Sequence, residues 1–219
     1  MKPIRRGALA DLLADVEIGR FPLANGGVTV VPQPNDRDAG VIGFTAHAVI
    51  FIDADPDWVT AQLSPGDLSS PLSPDFLRAL CDRSGRKAHT IDQLFLADPL
   101  PGEPAVELTP EPHRADPHPR IKRALGHRDD VRAWRADGGV VMLGRGVAGR
   151  WEVAIEVDAE RRDAGLGRAL ATAARHLVPG DGPLWAQVSP GNVASVRAFL
   201  AAGFKPVGAE ALLWHHAPR

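Results

Sequence analysis

The sequence predicts a mixed α/β fold, and three observations predict it. "RWEVAIEV" (150–157) alternates, with Trp151, Val153, Ile155 and Val157 on one face and Glu152, Ala154 and Glu156 on the other, which is the period of a strand. The next stretch places Leu166, Leu170, Ala173 and Leu177 in one apolar stripe, which is the period of a helix. Beyond it the chain reads strand ("GPLWAQVS"), helix ("NVASVRAFLAAG", stopped by Gly203) and strand ("KPVGAEALLW").

Upstream of this run, "VRAWRAD" and "VVMLGRG" form a hairpin around Asp137, Gly138 and Gly139. "PRIKRALGHRD" is a helix with Pro119 at its start. Residues 99–119 are crowded with proline, so they cross irregularly, with "AVELT" as a short strand at most. The N-terminal part reads as a helix ("RGALADLLADVE"), strands ("VTVVPQP" and "GVIGFTAHAVIFID"), a capped helix ("SPDFLRALCDRSG") and a short strand ("IDQLFLADP"). Two regions are expected: an N-terminal α/β extension over 1–104 without an assigned role, which either lines a pocket or packs against the open side of the sheet, and a second domain over 105–219.

Composition narrows the partners. A chain of 219 residues that is 44% hydrophobic fills a real core, and 24% charged residues is ordinary for a soluble protein. The net charge of −2 argues against nucleic acid, which leaves a basic footprint. The single cysteine, Cys81, excludes an intramolecular disulfide and a multi-cysteine metal site, and reads as a small buried hydrophobe. His113, His118 and His127 are too irregularly spaced for a metal motif, and His215 and His216 trail the last strand. No metal is expected. "MKPIRRGALADLLADVEIG" has no apolar core of a signal peptide, and no apolar run approaches the roughly 20 residues of a membrane helix. A cytoplasmic protein that engages neither membrane nor nucleic acid is expected.

The turn "RRDAGLGRAL" (161–170) is where the chemistry concentrates. A purely structural helix start prefers Ser or Asp with acids in its first turn. This one offers Gly165 and Gly167 with Arg161, Arg162 and Arg168. Each glycine costs about 1 kcal/mol of helix propensity. The order strand, glycine turn, helix makes an anion site, because the first N–H groups of a helix have no internal partner and the dipole favours a phosphate. Glycine lets a bulky anion reach the backbone, and the arginines add charge-assisted contacts. The competing reading is a tight turn with solvated arginines. The stretch matches neither the dinucleotide fingerprint nor the nucleoside-triphosphate loop.

"RDAGLG" (162–167) also resembles the Arg/Gln-x-x-Gly-x-Gly/Ala signature of the GCN5-related N-acetyltransferases. "NVASVRAFLAAGF" is similar to that family's second element, through Asn192, Ser195, Phe199, Gly203 and Phe204. One helix and one strand separate the two elements, as in the family. The resemblance covers about 105–219. It implies a mixed, mostly antiparallel sheet with two splayed parallel central strands flanked by helices, the two being "WEVAIEV" and "PLWAQVS". It implies acetyl-CoA, or a related acyl-CoA, as co-substrate in the gap between them.

Carried over residue by residue, the resemblance places the pyrophosphate on Arg162, Asp163, Ala164, Gly165, Leu166, Gly167 and Arg168. The N–H at Val157 would polarise the thioester carbonyl, and Asn192, Ser195 and Phe199 would line the cofactor arm. Asn192 has an equally good second reading as a helix N-cap. The expected acceptor is a small-molecule or peptide amine; a homodimer stays open. Glu152 and Glu156 are candidate bases, and the competing reading is that they solvate an exposed face or pair with Arg145 or Arg150. Two departures stand out. Family members often place a Glu where this chain has Trp151, one residue off. The aromatic of the second element is commonly a tyrosine that protonates the leaving thiolate; here it is Phe199, and the chain contains no tyrosine. The alternative reading is therefore a catalytically degenerate module that binds acyl-CoA without turnover.

Overall fold

The computed structural model describes residues 7–112 and 118–215. Residues His113 and His216 lie outside them. The architecture is mixed α/β, with antiparallel strand pairs outnumbering parallel ones and helices packed on the sheet strands. The chain divides into two compact units, one holding the described residues up to Gln93 with those from Gly208 on, the other running from Leu94 to Val207.

The first unit begins with helix α1 (Ala8–Glu17), whose Leu9, Leu13 and Val16 are buried. Strand β1 (Gly27–Val31) follows, then β2 (Ala39–Phe44) and β3 (His47–Phe51). The stretch "GVIGFTAHAVIFID" therefore folds back on itself: Phe44 pairs with His47, and Ala46 takes a φ of 49° in the turn. Helix α2 (Pro56–Ala61) is capped by the Asp55 carboxylate, which accepts from the N–H groups of Asp57 and Trp58. Helix α3 (Pro74–Ser84) starts on Ser73 and ends on Gly85 in the left-handed region, as its sequence predicts. Cys81 on α3 is half-buried, and its Sγ accepts from the Ala88 N–H at 3.1 Å. Strand β4 (Arg86–Ala97) leaves this helix and is longer than "IDQLFLADP" suggests. Within the unit β1 runs parallel to β3, β2 antiparallel to β3, and the end of the last strand antiparallel to β2 through Ala209–Leu213. Val41, Ile50, Phe76, Leu80, Ala211 and Leu213 form its core.

The second unit takes up β4 at Leu94 and continues with β5 (Thr109–Pro110), α4 (Pro119–Leu125), β6 (Asp129–Ala136), β7 (Gly139–Arg145) and β8 (Trp151–Val157). Then come α5 (Leu166–His176), β9 (Leu184–Val188), α6 (Val193–Ala201) and the first residues of β10 (Lys205–His215). "AVELT" shrinks to the two residues of β5, because Pro110 has no N–H to extend the ladder. The β6–β7 hairpin closes on Asp137 and Gly138, with Gly138 at φ 87°.

Strand β8 is the middle of this unit, between β7 on one edge and β9 on the other. Its Trp151 and Val153 join a core with Leu170 of α5, Phe199 of α6 and Phe204. On the opposite side, expected to be a polar one, Ile121 and Ala124 of α4 are buried with Val140 and Met142 of β7, and Ala154 packs against them. Glu152, on the same face of β8, lies inside the protein at 3% exposure.

Candidate functional site

The site is built from the ends of β8 and β9 and the first turns of α5 and α6. Strands β8 and β9 run parallel, and their register covers Glu152 with Trp185 and Val153 with Ala186. Past Val153 the remaining residues of β8 keep their partners on β7 only. From Val153 to Val157 the unpaired edge is about 13 Å long at the usual rise of a strand.

The parity of the ladder decides which amides face that opening. Asp158 N–H donates to Gly138 O at 2.9 Å, and Val157 lies opposite Gly139. Bonded and non-bonded pairs alternate in an antiparallel ladder. So the amides of Glu152, Ala154 and Glu156 turn toward β7, and those of Val153, Ile155 and Val157 turn toward β9. With β9 pairing gone after Val153, the Ile155 and Val157 N–H groups face the opening.

The first turn of α5 lies beside the same end of β8. A Cβ added to Gly167 would sit 3.7 Å from Val157 Cγ2 and 3.6 Å from Ala198 Cβ, in ordinary contact with both β8 and α6. Gly165 is the N-cap at φ 81°, and no side chain caps the helix. The first bond of the helix runs from Ala169 N–H to Gly165 O at 3.1 Å, so the amides of Leu166, Gly167 and Arg168 have no partner inside it. Asp163 also takes a positive φ, 61°, and Arg162, Asp163 and Ala164 are exposed. The helix therefore opens on three amides that neither the helix nor a capping side chain takes.

The three arginines differ. Arg161 is held by Asp137 at 2.6 Å and packs its stem on Gly138, where any Cβ would collide with it. Arg162 reaches back to Val157 O at 3.4 Å. Arg168 is exposed and forms no ion pair among the described residues.

On α6, Asn192 is the N-cap: its Oδ1 accepts from Ser195 N–H at 3.1 Å. Ser195 is half-buried in the first turn. Phe199 is 4% exposed, stacks on Phe95 with ring centres 6.5 Å apart and meets Phe204 edge-on at 4.9 Å. This ring belongs to the hydrophobic core and has no proton to give.

The two candidate carboxylates also part company. Glu152 Oε2 accepts from Arg128 Nε at 2.9 Å, and its Oε1 accepts from Arg150 Nε at 2.8 Å and from the Val147 N–H at 3.3 Å. Gln187 on β9 donates to the same Oε1 at 3.5 Å. Burial alone would raise its pKa, but Arg150 and Arg128 outweigh burial and hold it below the ordinary glutamate value. That is the reverse of what a base needs. Glu152 is a structural anion at the closed end of the β8–β9 pair. Gly146 makes room for it, since a Cβ there would meet the carboxylate. Glu156, four residues on, is half-buried, and its carboxylate forms no hydrogen bond or ion pair among the described residues.

Arg128, Gly146 and Gln187 escape a reading of motifs because each matters only through Glu152. Arg120 on α4 escapes it too; its signal is its place one residue before the buried Ile121. His118 caps α4, its Nδ1 accepting from Arg120 N–H at 3.2 Å, and exposed His215 meets Asp36 O through Nε2 at 3.0 Å. Among the described residues no helix is long and apolar enough to cross a membrane.

Compared with known proteins, the chain is similar in structure to a GCN5-related N-acetyltransferase from Kribbella flavida, with 16% identity over 98% of this chain and 96% of that one and a TM-score of 0.43. At that score the likeness carries no residue-by-residue correspondence. No family model matches the sequence, and no curated protein matches it in sequence.

Proposed function

We propose that the chain is an N-acyltransferase that passes an acetyl or related acyl group from acyl-CoA to an amine, without a metal. One observation carries the reading: β8 and β9 part after Val153 with the Ile155 and Val157 amides turned into the gap. The uncapped amides of Leu166, Gly167 and Arg168 support it, since a diphosphate lying along the turn from Arg162 to Arg168 is a fitting partner for them. In this reading the acyl-CoA arm lies along the open edge of β8 and its linker on the α5 turn, with Asn192 and Ser195 near the arm.

The reaction is a single displacement in a ternary complex. The bound ammonium loses one proton to Glu156, and the free amine so formed attacks the thioester carbon. The carbonyl electrons move onto oxygen and are held by the Val157 N–H, a fixed dipole aimed where charge develops. The carbon–sulfur bond then breaks as the carbonyl reforms, and the second proton of the attacking nitrogen passes through water to the departing CoA thiolate. A thiol of pKa near 8.5 leaves tolerably without an acid, so a buried Phe199 in place of a tyrosine does not stop the step. Phe199 also favours a second reading, in which the chain binds acyl-CoA without turnover.

The experiment is acetyl-CoA titration by calorimetry beside a thiol-release assay over a panel of amines. Binding with release supports the transferase. Binding without release on any amine supports the silent module, and no binding removes both. Reversing charge at Arg162 and Arg168 together is expected to weaken acetyl-CoA binding by at least about tenfold, since each charged hydrogen bond contributes roughly 1.5–3 kcal/mol. Gly165→Val is expected to weaken it too, because valine resists the φ of 81° that presents these amides. Unchanged affinity in folded variants would show that the turn holds no phosphate.

A further inference from the structure

We propose that the acceptor is an amine that also carries a carboxylate, held between Glu156 and Arg120. This inference rests on the acyl-transfer reading above. Helix α4 packs on β6 and β7 on the side of the sheet that carries Glu152, Ala154 and Glu156: its Ile121 and Ala124 are buried with Val140, the cross-strand partner of Glu156, and Ala154 packs against them. Arg120 stands in the first turn of α4, next to Ile121, which is fully buried on that face. The Arg120 Nε is buried and has no hydrogen-bond partner among the described residues. Buried polar nitrogens are rarely left so, and one in a guanidinium is expensive to leave.

Burial withdraws the Arg120 guanidinium from water and pulls its pKa below the ordinary arginine value, and the Glu156 charge opposes that shift. Two opposite charges in such a setting ordinarily close into a contact pair. Here neither forms an ion pair among the described residues. The surrounding charge is positive, because Arg123 and Arg128 also act on Arg120, while the one fully buried anion nearby, Glu152, already balances Arg128 and Arg150. A cation and an anion that form no ion pair among the described residues match a zwitterion: the carboxylate goes to Arg120 and the ammonium to Glu156. Glu156 precedes Val157, whose amide faces the β8–β9 opening. The ammonium would thus rest one residue from the thioester carbonyl, and its proton would pass to the carboxylate that positions it.

The test uses the full chain, acetyl-CoA, and amino acids paired with their own amides: glycine, alanine, aspartate and glutamate against the corresponding α-amides. Amidation lowers the amine's own pKa and so favours the amide chemically; a preference for the acid reports recognition. We expect at least one acid to exceed its amide by roughly 10- to 100-fold in kcat/KM, the range of one charged hydrogen-bonded contact. Arg120→Gln should bring that ratio close to one while acetyl-CoA affinity, measured by calorimetry, stays. If Arg120→Gln does not fold, Arg120→Lys keeps the charge, loses the planar fork, and should still shrink the ratio several-fold. Amides as good as acids in the wild type, or a ratio that survives these variants, overturns this inference alone. Thiol release from no amine, with acetyl-CoA bound, overturns it together with the transferase reading.

Discussion

Glu152→Gln is expected to lower the unfolding free energy by roughly 3–5 kcal/mol at neutral pH, the usual result of removing one member of a buried ion pair. The carboxylate is 3% exposed, and both of its oxygens are taken. Glutamine keeps the shape and leaves two guanidinium groups facing a neutral amide. Arg150 is 1% exposed at the side chain and has little access to water as compensation. Its guanidinium also lies 4.8 Å from the ring centre of Trp185, so the loss reaches β9. The sign of the pH dependence follows from the lowered pKa of Glu152. Over the acid range the unfolded chain binds the proton first, so the contribution is full above the ordinary glutamate value of 4.5 and is lost as pH falls through the lower folded value. Denaturant unfolding at pH 7 and at pH 4 checks both points. The wild type should lose stability between them by this route and the variant should not. Equal unfolding free energies at pH 7 would mean that the ion triad contributes nothing to the fold. Replacing Arg128, Glu152 and Arg150 together by apolar residues is expected to cost less than Glu152→Gln alone, because no charge is then stranded.

The same glutamate shows where the sequence is legible and where it stops. Strict alternation places β8, and the apolar stripe with its glycine start places α5; both are local patterns, and both hold. Asn192 is likewise a local signal, and the cap it forms is the plainer of its two readings. Burial of Glu152 is not local. It depends on Arg128 and Gly146, which only the fold brings against its carboxylate. The first half of β4 hides for a different reason: Lys87 to Ile91 are all exposed, so no alternation marks them. Helix α2 is a single capped turn and a half, and Asp55 before Pro56 is its only mark. The opening between β8 and β9 leaves no trace in either strand's pattern, since it is set by where their pairing ends.

Glu156→Gln is expected to reduce kcat by about 10²–10⁴-fold, the usual contribution of a general base, with acetyl-CoA affinity retained. The reason is positional. Glu152 is locked by two arginines, while Glu156 is half-buried, lies one residue from the amide that faces the opening, and has a carboxylate bound to nothing among the described residues. Only a carboxylate free of such contacts can accept a proton from an ammonium and release it again. The pH profile separates this role from a structural one. Without the base, the variant depends on amine that has already lost its proton in water. Its kcat/KM should then rise about tenfold per pH unit until the pH nears the amine's own pKa, and the gap to wild type should narrow. A merely structural defect would lower the rate by the same factor at every pH. Glu152→Gln, assayed at a temperature where it stays folded, should follow the wild-type profile. If Glu156→Gln turns over at the wild-type rate at pH 8, proton removal belongs to another group, and the face beneath α4 is not where the amine sits.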